Sequence, residues 1–164
     1  QIKYNKNERI MDWIEKIKTL LPEFAQIRQE RETHIREEVQ QTNEDRTTIS
    51  KVVSELQISE MLQGVNTLVL DGQGTISTEL SWETLNEDTD YAVEDEGTGP
   101  DYISVILSWD EPTDGDQERE IAVDVGMTMN GIYLQVNEID IRADRPAVET
   151  ALLEAIKEEL RLII

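Results

Sequence analysis

The stretch REIAVDVGMTMNGIYLQVNEIDI, residues 119–141, decides the architecture. Ile121, Val123, Val125 and Met127 alternate with Glu120 and Asp124, the period of two expected of a strand with one face buried and one in water. Asn130-Gly131 then supplies the dipeptide of a type I′ hairpin turn, and a second alternation follows it. A two-residue loop there pairs Met129 with Ile132, Met127 with Leu134 and Val125 with Val136. Continuing would oppose Val123 to Glu138 on the core face. A one-residue bulge near Asn137–Glu138 restores the match, setting Ile139 against Val123 and Ile141 against Ile121.

Working outward, DYISVILSW (101–109) and TISTELSW (75–82) alternate in the same way. Ahead of them VNTLVL (65–70) and the turn-like DGQG (71–74) predict a first strand and its hairpin. Behind, DRPAVETALLEAIKEELRLII (144–164) reads as a helix. Asp144 is its N-cap, Pro146 lies in its first turn, and Val148, Leu152, Ala155, Ile156 and Ile163 form its apolar stripe.

The first 64 residues have helical rather than strand periodicity. Ile10, Trp13, Ile14, Ile17, Leu20 and Leu21 recur at spacings of three and four, and Pro22 breaks or kinks that pattern. Residues 23–41 are polar nearly all round, with only Phe24, Ile27, Ile35 and Val39 available for a stripe. Thr42 with Asp45 resembles a helix N-cap, so residues 23–62 form either a helical hairpin or one rod. Ile49, Val52, Val53, Leu56, Met61 and Leu62 are amphipathic again, and Gly64 is expected to end the helix. The expected fold is α+β: a helical arm (1–64), then a five-stranded antiparallel meander with a C-terminal helix on one face (65–164).

Composition narrows the function classes. The chain has no cysteine, which removes disulfides, thiolate ligands and a cysteine nucleophile, and makes the cytoplasm the default location. Its one histidine, His34, lies in a charged helical stretch and is expected at the surface. No apolar run is long enough to span a membrane, and no signal peptide is visible. Gln1 is not an initiator, so the chain reads as processed or partial, with Met11 a candidate start.

The net charge of −21 is unevenly spread. Residues 1–37 carry eight bases and seven acids, whereas residues 65–145 carry three bases and twenty acids. From Val52 to Glu118 there is no Lys, Arg or His. Such a field repels nucleic acid and anionic membrane and attracts basic surfaces or cations. Adaptation to high salt would acidify the helices as well, so the near-neutral arm argues for a local cause.

No catalytic signature is present: there is no G-x-S-x-G, no dinucleotide fingerprint and no P-loop. Two acidic loops remain. NEDTDYAVEDEGTGPD (86–101) holds Glu87, Asp88, Asp90, Glu94, Asp95, Glu96 and Asp101 without a base. DEPTDGDQE (110–118) fails the EF-hand pattern, since Pro112 and Ile121 occupy its third and twelfth positions. Asp110, Asp114, Asp116 and Glu118 remain a candidate Ca²⁺ site of another kind, as do Asp88, Asp90, Glu94 and Asp95. In a meander these loops lie at opposite ends of the sheet and cannot share one ion.

The expectation is therefore a non-enzymatic acidic interaction module, an adaptor, inhibitor or chaperone-like protein. It would bind a basic protein surface through Glu87, Asp88, Asp90, Glu94, Asp95 and Glu96, with no nucleic-acid or membrane partner. Homo-oligomers through the helical arm are a further expectation. Divalent-cation binding by the acidic loops and a structural role in a larger assembly are the alternatives.

Overall fold

The computed structural model describes residues 6–83, 99–111 and 117–161. In chain order the elements are α1 (Lys6–Glu55), α2 (Ile58–Leu68), β1 (Thr75–Leu80), β2 (Tyr102–Glu111), β3 (Gln117–Thr128), β4 (Gly131–Val136), β5 (Ile139–Ile141) and α3 (Arg145–Leu160). The class is α+β, and the five strands form an antiparallel meander in the order β1-β2-β3-β4-β5. Two compact units divide the chain, Gln1–Asn43 and Glu44–Ile164.

Helix α1 runs unbroken through Pro22 and through residues 42–45, which settles the choice between hairpin and continuous helix in favour of the latter. Pro22 costs about 3 kcal/mol at such a position. In the first unit no described residue of α1 is buried, and of these only Ile17 and Thr42 are partly covered, in keeping with the polar character of residues 23–41. Within the second unit, α1 makes long-range contacts. Arg46 Nε donates to Asp101 Oδ2 at 2.9 Å, and its guanidinium lies 5.1 Å from the centre of the Trp82 ring. Ile49, one turn on, is fully buried. Trp82 follows the end of β1, is partly buried against the core and packs under this arginine.

Gln57 stops α1 by adopting φ 54, a left-handed conformation, and α2 starts directly after it. Here the structure corrects the sequence reading. VNTLVL is no strand, and Gly64 ends nothing: α2 continues through both to Leu68. Ile58, Leu62 and Asn66, four residues apart, extend one buried face along α2. Gly64 lies on the other side, with nothing within 4 Å of where a Cβ would be. DGQG is therefore a helix-to-strand turn, with Asp71 (φ 52) and Gly72 (φ 78) left-handed. The buried Asn66 amide clamps it, accepting from Gly74 N at 2.7 Å and donating to Gly74 O at 3.1 Å. A Cβ on Gly74 would lie 2.7 Å from Leu107 Cδ1 and 2.8 Å from Asn66 Oδ1, so any other residue there would displace these side chains and disturb the clamp.

The count of five strands is kept by a second correction. The predicted bulge at Asn137–Glu138 is a hairpin turn, with Val136 opposite Ile139, so the expected last strand is two strands. Both turn residues have positive φ, 48 and 68, as a type I′ turn demands. The apolar phase reverses there because the chain reverses. Asn137 also replaces a strand residue: its N donates to Ala122 O (2.9 Å) and its Oδ1 accepts from Ala122 N (2.8 Å).

The preceding hairpin is shifted by two residues from the expected pairing. Thr128 faces Gly131, Met127 faces Ile132, Val125 faces Leu134 and Val123 faces Val136. Met129 and Asn130 form the tip, and Gly131 takes the positive φ of 104 after them.

The core lies between one sheet face and the helices. Ile103, Val105, Leu107, Trp109, Ile121, Val123, Val125, Leu134 and Val136 point inward from β2–β4. Helix α2 covers β1 and β2, and α3 covers β3–β5. On α3, Val148, Leu152 and Ala155 are buried as expected, and Asp144 caps the helix by accepting from Ala147 N at 2.8 Å.

Candidate binding face

The pleat that sends these apolar residues inward sends their neighbours to the opposite face. Strand pairing then sets Glu79, Ser104, Asp124, Gln135 and Asp140 in one row across all five strands. Neighbouring strands are about 4.8 Å apart, so the carboxylates of this row recur at intervals of roughly 10 Å. Ser104, between Glu79 and Asp124, is only 5% exposed, while Gln135 Nε2 donates to Asp140 Oδ1 at 2.8 Å. Glu120, Asp110 and Glu118 add further acids to outward positions of β2 and β3. No outward strand position carries lysine or arginine. Arg119, the one base within β1–β5, points to the other face, where its Nη1 lies 3.4 Å from Glu159 Oε2 on α3.

The adjacent row is aromatic. Tyr102 faces Gly126, and Gly126 faces Tyr133. The Tyr133 ring lies over Gly126 so closely that any Cβ there would overlap it. Glycine at this position is therefore a requirement of the tyrosine's pose. Burial pushes the Tyr133 phenol above its ordinary pKa, and the negative charge of Asp124, the neighbouring Tyr102 and Asp140 push in the same direction. Acids and tyrosines together border a shallow groove of about 560 Å³ that includes Glu79, Tyr102, Glu120, Asp124, Tyr133 and Glu138.

The loop acids singled out in the sequence fall elsewhere. Glu87, Asp88, Asp90, Glu94, Asp95 and Glu96 lie outside the described residues, and so do Asp114 and Asp116. Of the proposed cation ligands, Asp110 and Glu118 are described and stand directly opposite each other across the β2–β3 ladder. Among the described residues no three acids or histidines come together as a metal site. Asp101 is held by Arg46 and takes no part in the open field. His34 is exposed on α1, its Nε2 3.0 Å from Glu38 Oε1.

Tyr102, Gly126, Tyr133, Ser104 and Gln135 escaped the sequence reading. Their signal was present as the polar phase of each alternation, but which of them become neighbours depends on strand register. A larger groove of about 750 Å³ runs between β5 and α3, lined by Ile139, Ile141, Pro146, Ala147, Ala151 and Ala155 among others. Its lining is mainly apolar, with Arg142, Glu154, Glu158 and Glu159 as its charged members. No helix among the described residues is long and apolar enough to cross a membrane. No protein family, curated protein or solved structure matches this chain.

Proposed function

We propose that this protein is a non-catalytic acidic interaction module of the cytoplasm that binds a basic protein segment on the outer face of its sheet. The observation that carries the reading is the Glu79–Ser104–Asp124–Gln135–Asp140 row beside the Tyr102–Gly126–Tyr133 row, on a face with no base. Carboxylates at regular intervals on a rigid sheet suit several lysines or arginines presented together. The tyrosine rings add cation–π contact, about 0.5–1 kcal/mol at exposed sites. Nucleic acid, whose backbone is anionic, is repelled by the same field. The loop acids at 87–96 would enlarge this field and speed encounter with the partner.

The test is titration of a fluorescent arginine- and lysine-rich peptide against the full chain at two salt concentrations. Neutralising the row by Glu79→Gln, Asp124→Asn and Asp140→Asn is expected to weaken binding at least tenfold. The same charge change on α3, by Glu149→Gln, Glu154→Gln and Glu158→Gln, is expected to weaken it far less. Equal losses would mean a diffuse field with no binding face.

A second reading, divalent-cation binding at Asp110, Asp114, Asp116 and Glu118, is favoured by one observation. Asp110 directly opposes Glu118, and like charges so placed destabilise a sheet until something screens them. Calcium raising the melting temperature beyond sodium chloride of matched ionic strength would support this reading.

A further inference from the structure

The first 43 residues carry eight bases and eight acids, while the rest of the chain carries seven bases and twenty-eight acids. The neutral arm also leaves its apolar side chains in water. Ile10, Trp13, Leu21 and Ile27 are 58%, 62%, 52% and 54% exposed, and Ile14, Leu20 and Phe24 are exposed as well. Their order is regular. Ile10, Ile17 and Phe24 are seven apart, and Trp13, Leu20 and Ile27 repeat three residues behind them. These are the a and d positions of two and a half heptads, widened by Ile14 and Leu21 at e. Pro22 falls at f, on the side away from the seam, where its ring obstructs no partner helix.

We propose that the arms of two copies of this chain pair antiparallel over residues 10–27. In the register that places an a residue against a d residue in every layer, Ile10 meets Ile27, Trp13 meets Phe24 and Ile17 meets Leu20 of the second copy. The two-fold axis passes between Lys18 and Thr19. Antiparallel helices set g beside g and e beside e. Lys16 then lies next to Glu23 of the second copy, Arg9 next to Glu30, and Ile14 next to Leu21, each pair occurring twice. A parallel pair would instead set Arg9 against Ile14 and Lys16 against Leu21, and would match charge only at Glu23 and Arg28. Charge complementarity therefore selects the antiparallel arrangement.

The seam has natural ends. One layer further out, the same register opposes Lys6 to Arg31, two bases, so pairing stops there. Eight apolar side chains, seven of them exposed and Ile17 partly so, come to roughly 700 Å² per chain, close to one side of an interface of standard size. Antiparallel arms also let the two chains leave the pair in opposite directions, so the acidic units that follow are not drawn together. In water the exposed charges on the helix, such as Lys16 with Asp12 at 3.7 Å, form weak pairs that re-form across the seam at little cost.

Sedimentation of the full chain at micromolar concentration tests this. A dimer is expected, and Ile17→Asp with Leu20→Asp should make it monomeric while the near-ultraviolet signal of buried Trp109 is kept. Orientation is read from charge exchange. Lys16→Glu alone and Glu23→Lys alone should each raise the dimer dissociation constant about tenfold or more, and the double variant K16E/E23K should restore it. A wild-type chain that stays monomeric at 100 μM would overturn the proposal. So would failure of the double variant to recover, since a parallel pair gives the exchange nothing to restore. None of these readouts involves a basic ligand, so they stand apart from the peptide titration.

Discussion

The two units use apolar residues in opposite ways. From Glu44 onward, Ile49, Ile58, Leu62 and the inward side chains of β2–β4 are at or near zero exposure. Between Lys6 and Asn43 comparable residues, Ile10, Trp13, Leu21 and Phe24, stay 44–62% exposed. Hydrophobicity alone does not distinguish them; what differs is whether the same chain supplies a second layer. The sheet unit closes its core internally with α2 and α3. The arm is one helix whose apolar side chains stay exposed among the described residues, and such a helix suits a second layer from a partner.

The sharpest way to break this contrast is to truncate one leucine in each unit. Leu107, fully buried beside Gly74, should cost about 2–5 kcal/mol on replacement by alanine. Leu20→Ala should leave urea unfolding of the sheet unit nearly unchanged and act on association instead. Equal stability losses, measured on dilute protein, would show the arm to be part of the sheet unit's cooperative core.

Asn137→Ala comes next. It strips a partner from Ala122 N and places alanine at a left-handed position, for an expected loss of about 1–3 kcal/mol in urea titration. No loss would mean that water replaces the side chain at no cost. Smaller and opposite in sign is Gly64→Ala. The glycine sits inside α2 facing open space, so alanine should stabilise by about 0.5–1 kcal/mol. A destabilising result would mean that Gly64 has a packing partner.

The smallest effect is confined to alkaline pH. The folded state holds Tyr133 in its neutral form above the ordinary phenol value of 10.0. An unfolded chain releases that proton sooner, so this contribution is complete below pH 10.0 and is lost as pH rises towards the folded value. Stability measured at pH 9 and pH 11 should fall less for Tyr133→Phe than for the parent chain. A bound lysine or arginine peptide should also lower the phenol's pKa, visible in tyrosinate absorbance.

Much of the fold was legible because alternation and helical spacing are local. TISTEL, YISVILSW and EIAVDVGM announce their strands, and Asp144 with Pro146 announces α3. VNTLVL misled because a short apolar run fits strand or helix equally, and the deciding fact, a face shared with Ile58 and Leu62, is tertiary. Glu138 misled for another reason: a glutamate seldom adopts positive φ, so nothing local marks the second residue of a type I′ turn. The binding face was legible only as an acidic region. Which acids share a row follows from strand pairing, and the expected register was two residues off in the β3–β4 hairpin.

The early reversal at Asn137 and Glu138 has one more consequence. It leaves β5 with three residues, one of them Asp140, as the last strand of the sheet. A stub this short offers an incoming strand few backbone groups to pair with, and Asp140 adds a charge that resists a second acidic chain. Sheet-to-sheet growth, which propagates without limit, is therefore disfavoured at that edge. A two-fold pairing of arms consumes the surfaces it uses and closes on itself. If the arms pair as proposed, assembly through them would stop at a fixed size, and the β5 edge would add no route to fibres.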